Sequence, residues 1–354
     1  MSDEVCVVVD MGSRSIKVGF GAESFPRYIV PSVVGRFQHE VLLDGVPDIY
    51  FGAEAVKKRG LSNLTWPIEG GMIKDWGEME KLWHHIFYRE MHVAPEISPT
   101  LISLHPLTKL KDKCITSTCA ARPSGRTTGV VWESGYSCNY TAPVFEGFPL
   151  KHATICSEVN GKILTERLQN LLKEVGYSFT TPREIDLLDK LKEQLCYTVN
   201  DYEAELANSP VKDKLRYELP DGQHVLIGDE RYQCPEILFQ PSLHGLKCSN
   251  VVDNIRSSIS KSDLDYKGEF YSNIVLSGGT TMFPGLPDRL FIELRKRATD
   301  EQELDVKIEA MPSRHLAPWI GGSILASLSS YDNFWMTRQE YEDEGSERVH
   351  YKFF

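Results

Sequence analysis

The sequence lacks the patterns that mark several specialised classes of protein. None of its eight cysteines forms a CxxC pair, and they are scattered along the chain. This distribution argues against a disulfide framework or a zinc site and predicts reduced thiols in the cytoplasm or nucleus. No apolar run reaches the roughly 18 residues of a membrane-spanning helix, so membrane insertion is not expected. Linkers rich in glycine, proline or serine are also missing, so any domains are expected to be joined by short, ordered crossings.

Positive charge is scarce as well. The 354 residues include 39 lysines and arginines against 50 aspartates and glutamates, which gives a formal net charge of −11. Such an acidic chain is not expected to bind nucleic acid directly or to hold an anionic bilayer. Its 41% of hydrophobic and 25% of charged residues are typical of globular proteins. At roughly 150 residues per domain, the length predicts two or three domains.

Strand-like and helix-like segments alternate along the chain, which predicts an α/β fold. Apolar residues recur at helical spacing in four segments, and we predict helices over 78–91, 162–174, 183–196 and 287–298. Asp75 is expected to cap the first of these helices. We assign the apolar stripe of each helix to ordinary core packing.

A weak internal repeat carries the functional argument. Residues 5–20 and 129–145 each contain an apolar run, an acidic residue, a turn with glycine and serine, and a second apolar run. Each segment therefore predicts a β-hairpin with a polar, glycine-bearing tip. Two such hairpins, at the start of successive α/β units, predict a duplicated domain whose tips face each other across a cleft.

The tips contain the residue types that hold phosphate. Backbone N–H groups around Gly12 and Ser13 can point at an anion. Lys17 is placed to neutralise phosphate charge, and Asp10 to hold a divalent cation through water. A third glycine turn at 277–285 follows a strand-like run and precedes a predicted helix, which also suits a nucleotide. Each turn alone is more typical of an ordinary tight turn, but the three together predict a nucleotide in an interdomain cleft.

Longer blocks of sequence are more specific. They are PSVVGR at 31–36, MEKLWHHIFY at 79–88, VAPE at 93–96, SGRTTG at 124–129, GYSFTT at 176–181, YELPDGQ at 217–223, CPEILFQPS at 234–242, VLSGGTTMFPG at 275–285, WIGGSILASLS at 319–329 and QEY at 339–341. With these blocks in this order, the chain resembles actin and the actin-related proteins over nearly its whole length. The resemblance implies the actin-like ATPase fold, with two duplicated α/β domains around a nucleotide cleft. Hexokinase and heat-shock chaperones share that fold.

The resemblance also implies domain bounds. A small outer domain is expected at 1–123 together with 317–354. Within it, 32–66 corresponds to the subdomain that gates access to the nucleotide. A large inner domain is expected at 124–316.

Carried over position by position, the resemblance implies contacts to ATP or ADP with Mg²⁺ or Ca²⁺. The first phosphate loop corresponds to Asp10, Gly12, Ser13 and Lys17, with Asp10 holding the metal through water. The other nucleotide-binding positions correspond to Ser134, Gly135, Gly161, Lys192, Glu193, Gly278, Gly279, Thr280, Met282 and Phe283.

The departures from actin are concentrated at the catalytic centre. The family's second phosphate loop reads DSGDG, whereas residues 133–137 read ESGYS. Glu133 keeps the charge but adds a methylene, and Tyr140 stands where actin has the histidine that helps to place the attacking water. A phenol has a poor pKa for accepting a proton near neutrality. Arg14 replaces a glycine of the first loop, where it either pairs with phosphate or crowds the site. We therefore expect a degenerate catalytic set of Asp10, Glu133 and Tyr140.

The largest departure is a gap. Between Val93 and Gly125 the family has roughly eighteen more residues than this chain, far beyond ordinary loop variation. Only the short basic segment 103–123 fills the interval, and the glutamine that orients the hydrolytic water in actin has no counterpart. Because a missing positioning group acts on the hydrolysis step, we expect ATP hydrolysis well below that of conventional actin.

These features favour a divergent actin-related protein that acts as a structural or scaffolding cytoskeletal subunit, in the cytoplasm or also in the nucleus. Its nucleotide is expected to bind weakly or statically, with at most a residual ATPase activity. The alternative is a filament-forming actin whose nucleotide times its turnover. A sugar kinase or chaperone ATPase is less favoured, because those proteins lack the actin-specific blocks. A fourth interpretation is a poorly folding product of an alternative transcript.

Partners are expected among cytoskeletal and actin-binding proteins, including actin itself or a multi-subunit complex. Ile324, Leu325 and Leu328 correspond to the groove where partner helices dock on actin. An exposed apolar groove is a suitable helix receptor. An ordinary buried helix fits the same three residues equally well.

Overall fold

The computed structural model describes residues 6–37, 47–103, 127–208, 214–220, 222–297, 305–328 and 335–345. The chain divides into two compact units. The first unit comprises Met1–Thr128, Val144–Lys151 and Leu316–Phe354, and the second comprises Gly129–Pro143 and His152–His315. The outer and inner domain bounds expected from the resemblance stay predictions, as does the gate at 32–66. None of the helices in the described ranges combines the length and the apolar character that a membrane span requires.

Strands and helices alternate, as the sequence predicts. The strands are β1 Val7–Met11, β2 Ser15–Phe20, β3 Tyr28–Pro31, β4 Val34–Phe37, β5 Ile49–Phe51, β6 Ser62–Thr65, β7 Ile68–Glu69, β8 Met72–Ile73, β9 Thr100–Ser103, β10 Gly129–Ser134, β11 Asn139–Phe145, β12 Phe148–Pro149, β13 Ile155–Cys156, β14 Leu215–Glu218, β15 His224–Ile227, β16 Ile274–Ser277 and β17 Ile308–Glu309. The α-helices are α1 Gly52–Lys57, α2 Trp76–His85, α3 Gly161–Glu174, α4 Pro182–Leu195, α5 Tyr202–Ala207, α6 Glu230–Gln233, α7 Val251–Ser260, α8 Lys267–Tyr271, α9 Leu286–Arg297, α10 Ala317–Ala326 and α11 Arg338–Glu344.

A four-stranded sheet in the order β3-β2-β1-β9 forms the centre of the first unit. Strands β1 and β2 make the hairpin predicted over 5–20, and β9 runs parallel to β1. All five residues of β1 are buried. Val7 and Val9 belong to one core cluster, whereas Val8 packs with Trp319 of α10 in another. Both faces of β1 are thus covered, which explains its unbroken apolar run.

Helix α2 supplies much of the core on one face of this sheet. Asp75 caps it as predicted, since the Asp75 carboxylate accepts a hydrogen bond from the backbone N–H of Glu78 at 3.0 Å. The chain continues past α2 as a π-helical turn over Ile86–Glu90. The predicted apolar stripe is confirmed, because its side chains pack in the core cluster of β1: Met79, Leu82, Ile86 and Phe87, with Trp83 against them.

A smaller three-stranded sheet in the order β5-β4-β6 also belongs to the first unit. Helix α1 packs on it, and Val33, Tyr50 and Ala55 form its core cluster. This small sheet lies within the segment that the resemblance assigns to the nucleotide gate.

The main sheet of the second unit has the strand order β11-β10-β16-β17, with β13 paired to β11. Strands β10 and β11 make the hairpin predicted over 129–145. Strand β16 runs parallel to β10, and β17 runs parallel to β16. Five of the six positions of β10 and all four positions of β16 are buried.

The three helices predicted in the second unit are confirmed as α3, α4 and α9, each within one or two residues of the predicted bounds. Capping residues explain where they begin. Asn160 accepts hydrogen bonds from the first backbone N–H groups of α3. Thr181 and Glu184 form a reciprocal capping box at the start of α4.

The two main sheets share one plan, which confirms the predicted duplication. In each, a hairpin is followed in space by a strand parallel to its first strand. In each, the acidic residue near the end of the first strand has a serine directly beside it. Asp10 is paired with Ser103 in the first unit, and Glu133 is paired with Ser277 in the second.

Candidate functional site

The first hairpin tip holds an ion pair. Asp10 lies opposite Lys17 in the β-ladder, and the Lys17 Nζ is 3.1 Å from the Asp10 Oδ2. The other carboxylate oxygen, Oδ1, accepts a hydrogen bond from the Ser103 hydroxyl at 2.5 Å. Asp10 is only 6% exposed, so both of its oxygens are satisfied by protein groups in a nearly dry environment. The sequence predicted Asp10 and Lys17 but not Ser103, whose proximity depends on the parallel pairing of β9.

Gly12 fixes the backbone of the same tip. A Cβ atom at this position would lie 2.4 Å from the Ser15 carbonyl oxygen and 3.2 Å from the Lys17 Nζ. The Gly12 carbonyl also accepts a hydrogen bond from the Ser32 hydroxyl at 2.5 Å. The lysine ammonium therefore lies against a stretch of backbone that admits no side chain, a geometry suited to an anion.

Arg14 has a partner that the sequence did not suggest. Its guanidinium lies over the indole ring of Trp66, 5.1 Å from the ring centroid. This is a cation–π distance. The sequence left open whether Arg14 pairs with phosphate or crowds the loop, and the structure instead places it on an aromatic face within the first unit.

In the second unit, the second loop, Gly161 and the third turn come together. The Gly135 carbonyl accepts hydrogen bonds from the Gly161 N–H and from the Thr280 hydroxyl, each at 3.0 Å. The Gly135 N–H donates to the Cys138 carbonyl at 2.8 Å and closes the hairpin turn. A Cβ atom on Gly161 would lie 2.9 Å from the Thr280 Oγ1. Residues predicted from three separate segments thus form one compact backbone cluster.

Gly278 is the most constrained glycine of this cluster. Its φ of +91° lies in the region that favours glycine, and a Cβ atom there would lie 2.3 Å from the Ser134 carbonyl oxygen. Gly279, by contrast, has open space around its Cα. Beyond the turn, Met282 is half-buried and Phe283 is 6% exposed.

Arg314 holds the third turn in place, and sequence reasoning missed it. Its Nη2 and Nε donate to the Thr281 carbonyl at 2.8 and 3.2 Å, and the Gly278 N–H donates back to the Arg314 carbonyl at 3.0 Å. Burial lowers the pKa of the Arg314 guanidinium. No local pattern signals this role, because the partners lie 33 positions apart in sequence.

Lys192 is turned towards protein groups. Its ammonium donates to the Gly161 carbonyl at 2.7 Å and to the Thr165 hydroxyl at 2.6 Å, and it pairs with the Asp189 carboxylate at 3.1 Å. Lys192 is 5% exposed, whereas the neighbouring Glu193 is exposed. Lys192 therefore joins α4 to the start of α3. Sequence reasoning missed Thr165 and Asp189, which complete this buried network.

Two buried hydroxyls near the second loop have no hydrogen-bond partner among the described residues. They are the Oγ atoms of Ser134 and Ser277, both in fully buried residues. Buried hydroxyls are normally satisfied. Tyr140, on the second strand of the hairpin, is 1% exposed.

These features fit nucleotide phosphates. In the first unit, the Lys17 ammonium lies beside backbone at Gly12 that excludes a Cβ atom, and both ammonium and backbone N–H groups are donors to phosphate oxygens. In the second unit, considered by itself, the Ser134 and Ser277 hydroxyls have no hydrogen-bond partner among the described residues, and a hydroxyl is also a donor to phosphate. A metal site made of protein ligands alone does not fit, since the described residues contain no cluster of three or more histidine, cysteine, aspartate or glutamate side chains. Asp10 could bind a magnesium ion through a coordinated water, because Mg²⁺ usually keeps several of its waters in proteins.

The three residues assigned to partner docking have different environments. Leu325 is fully buried in a core cluster with Trp319, Cys6 and Leu101. Leu328 packs against that cluster from a half-buried position, and Ile324 is 37% exposed. The side chain of Leu325 therefore acts in the core, and the docking hypothesis for this helix depends on Ile324 and Leu328.

The comparison with known families gives a match over the entire chain. A family model described as Actin matches residues 1–118 and 114–354. The two matched segments meet at 114–118, inside the interval where the sequence is shorter than the family. The shortened segment 103–123 itself falls almost wholly outside the described residues.

Proposed function

Because the chain belongs to the actin family, we propose that it is a structural or scaffolding subunit of the cytoskeleton in the cytoplasm. In this proposal it holds ATP or ADP weakly or statically, and hydrolysis is impaired. The observation that carries the proposal is the contrast between a first loop that keeps Asp10 and Lys17 and a second loop that is altered around Glu133 and Tyr140.

Nucleotide binding is supported by the groups that remain. Lys17 and the backbone of Gly12 and Ser13 would hold phosphate, together with Ser134 and Gly135 of the second loop. Gly161, Glu193, Gly278, Gly279, Thr280, Met282 and Phe283 are proposed to line the rest of the nucleotide. Lys192 would act indirectly, by fixing the backbone at Gly161. When bound, the nucleotide phosphates would accept hydrogen bonds from Lys17 and from serine hydroxyls, and Asp10 would hold the divalent cation through water.

Impaired hydrolysis is supported by the replaced groups. A phenol has an ordinary pKa of about 10, so it keeps its proton at neutral pH and is a poor proton acceptor. Tyr140 is also enclosed in the core. Glu133 reaches one methylene further than the family's aspartate, so it would place water differently. A general base that is positioned well typically contributes a factor of about 10² to 10⁴ in rate. If the general base is lost and the binding groups are kept, the site would bind nucleotide without hydrolysing it at an appreciable rate.

A filament-forming actin with nucleotide-timed turnover is the second candidate. The intact Asp10–Lys17 pair and the intact third turn favour it. The two candidates differ in what happens to the nucleotide, because only the second requires hydrolysis after assembly.

The test begins with the nucleotide content of the purified protein. The sample is loaded with ATP, stored, denatured, and its released nucleotide is separated by chromatography. We expect ATP to persist, and phosphate release to be at least about 100-fold slower than for conventional actin assayed alongside. Mostly ADP, with phosphate released as the protein pellets, would replace the scaffold proposal with the filament candidate. An empty, folded sample would refute nucleotide binding itself.

A further inference from the structure

An open groove of about 550 Å³ lies on the second unit, between α3 and the turn Pro241–His244. Its lining is cationic on balance, although the whole chain carries a formal charge of −11. The lining residues are Arg167, Asn170, Lys173, Glu174, Leu243 and His244. None of them belongs to the proposed nucleotide site.

The helix itself explains why these side chains share a face. Helix α3 buries a leucine stripe in the core, namely Leu164, Leu168, Leu171 and Leu172. Arg167, Asn170 and Lys173 follow one another at intervals of three residues, and such residues are neighbours on a helix surface. They therefore form a polar ridge beside the apolar stripe, and the turn that contains Leu243 supplies the other wall of the groove.

Arg167 is the unusual member of this lining. It is half-buried, and its Nε is shielded from solvent without a hydrogen-bond partner among the described residues. Other buried arginines in this unit are satisfied: Arg289 pairs with Glu236 at 3.1 Å, and Arg314 donates to the Thr281 carbonyl. A shielded N–H without an acceptor is unfavourable. A carboxylate bound to the rest of the guanidinium would stabilise its positive charge.

We propose that this groove binds an acidic peptide segment of a partner protein. The planar Arg167 guanidinium can receive a carboxylate through two parallel hydrogen bonds. Lys173 adds a second positive charge, and Asn170 adds amide groups that can bind a peptide backbone. Leu243 offers apolar contact between these polar groups.

A peptide carboxylate fits this lining better than a free phosphate. Glu174 places a negative charge at the groove, which repels a phosphate dianion more strongly than a single carboxylate. The same Glu174 carboxylate can accept a hydrogen bond from a peptide N–H. A ligand with both acidic side chains and backbone donors therefore matches the whole lining.

The test is a fluorescence-anisotropy titration of the full-length protein at low ionic strength. The probe is a fluorescein-labelled peptide of alternating glutamate and leucine, and its analogue with glutamine for glutamate is the control. We expect the acidic peptide to bind at least about 10-fold more tightly than the analogue. Arg167→Gln should weaken binding about 10-fold or more, and Lys173→Gln about 3-fold.

Lys261→Gln is the matched control variant, since Lys261 is exposed on the same unit but lies outside the groove. It should bind like the unchanged protein. An equal loss in Lys261→Gln, or no binding by the unchanged protein, would overturn the proposal. Displacement of the peptide by inorganic phosphate at the peptide's own concentration would overturn it too, since the groove would then be a phosphate site.

Circular dichroism checks that each variant is folded. If Arg167→Gln fails to fold, Arg167→Lys takes its place. Lysine keeps the positive charge but cannot form the two parallel hydrogen bonds of a guanidinium. That variant should bind several-fold more weakly than the unchanged protein, and undiminished binding would contradict the role of the guanidinium. The readout is separate from the nucleotide assay, so failure of one proposal leaves the other measurable.

Discussion

The two hairpin tips occupy equivalent positions in two duplicated sheets, yet their side chains are used differently. In the first unit the Ser103 hydroxyl and the Lys17 ammonium both engage Asp10. In the second unit Ser277 stands at the corresponding position beside Glu133, but its hydroxyl has no hydrogen-bond partner among the described residues. The shared backbone plan thus carries a closed polar network in one half and unsatisfied hydroxyls in the other.

In the proposed function, this difference separates nucleotide binding from hydrolysis. Contacts that exclude any side chain enforce the backbone geometry around Gly12 and Gly278, which we propose to cradle phosphate. We propose that the placement of water depends on individual side chains such as Glu133 and Tyr140. Those side chains can change while the fold stays the same, because they contribute little to the topology.

The largest change in stability is expected from a substitution in the third turn of the second unit. Gly278→Ala should lower the free energy of unfolding by about 3 kcal/mol or more, because the added Cβ meets the Ser134 carbonyl and the backbone stays at positive φ. Gly279→Ala is the matched control and should change it by less than about 1 kcal/mol, since no atom lies within 4 Å of that Cβ. Urea unfolding measures both. An equal loss of stability in Gly278→Ala and Gly279→Ala would show that the contact between Gly278 and the Ser134 carbonyl does not constrain the turn.

A buried carboxyl group in the second unit, that of Glu236, is expected to make the free energy of unfolding depend on pH. Burial outweighs the attraction of Arg289 and raises the pKa of Glu236 from its ordinary 4.5 to about 7. The folded state therefore binds a proton more tightly than the unfolded state. The stability that Glu236 contributes is present below pH 4.5 and is lost as the pH rises through about 7, by up to about 3 kcal/mol.

Unfolding curves between pH 4.5 and 8 test this slope. Glu236→Gln should remove it, whereas Glu269→Gln, which changes an exposed carboxylate of the same unit, should leave it in place. A slope that survives in Glu236→Gln would assign the pH dependence to other groups. The slope also reports on the second unit alone, which helps to separate the stabilities of the two halves.

Restoring family residues in the second unit should raise the rate of ATP hydrolysis. The double variant Glu133→Asp with Tyr140→His restores the two family residues at these positions. We expect phosphate release to rise about 10-fold, which is less than a fully positioned base gives, because the family's glutamine has no counterpart. Single-turnover phosphate release measures it, with Glu133→Asp alone as the control. No rise in a folded, nucleotide-loaded variant would place the defect outside these two positions.

The smallest expected effect is in the first loop. Ser103→Ala should lower stability by about 1 kcal/mol and speed the loss of bound nucleotide, because Asp10 loses one of its two partners. Ser277→Ala is the counterpart in the second unit and should be nearly neutral without nucleotide, since no hydrogen bond is removed. Thermal unfolding of both variants makes the comparison. A larger loss from Ser277→Ala would contradict the contrast between the two tips.

Much of the fold could be predicted from the sequence because its signals are local. The stripe of Met79, Leu82 and Ile86 defines one face of α2, and Asp75 supplies its cap within three residues. The two hairpins were predictable from turn residues between apolar runs, as was the glycine turn before α9. In each case the deciding interactions join residues that are close in sequence.

Most of the polar contacts around the site could not be predicted. Ser103 reaches Asp10 across 93 positions, and Lys192 reaches Gly161 across 31. The sequence left open whether Arg14 pairs with phosphate or crowds the loop, and it did not suggest the contact with Trp66. These contacts depend on which strands and helices become neighbours, and a single sequence does not state that.

By itself, the sequence determined the family, the duplicated hairpins and four of the helices, because residue identity and short-range periodicity are sufficient for each. Only the tertiary structure decided that Lys192 joins two helices from a buried position, that Leu325 is a core residue, and that the Ser277 hydroxyl has no partner in the part of the chain that the structure describes. Burial and hydrogen-bond satisfaction depend on every element that packs around a side chain. They are therefore properties of the folded chain and cannot be assigned to any one segment of it.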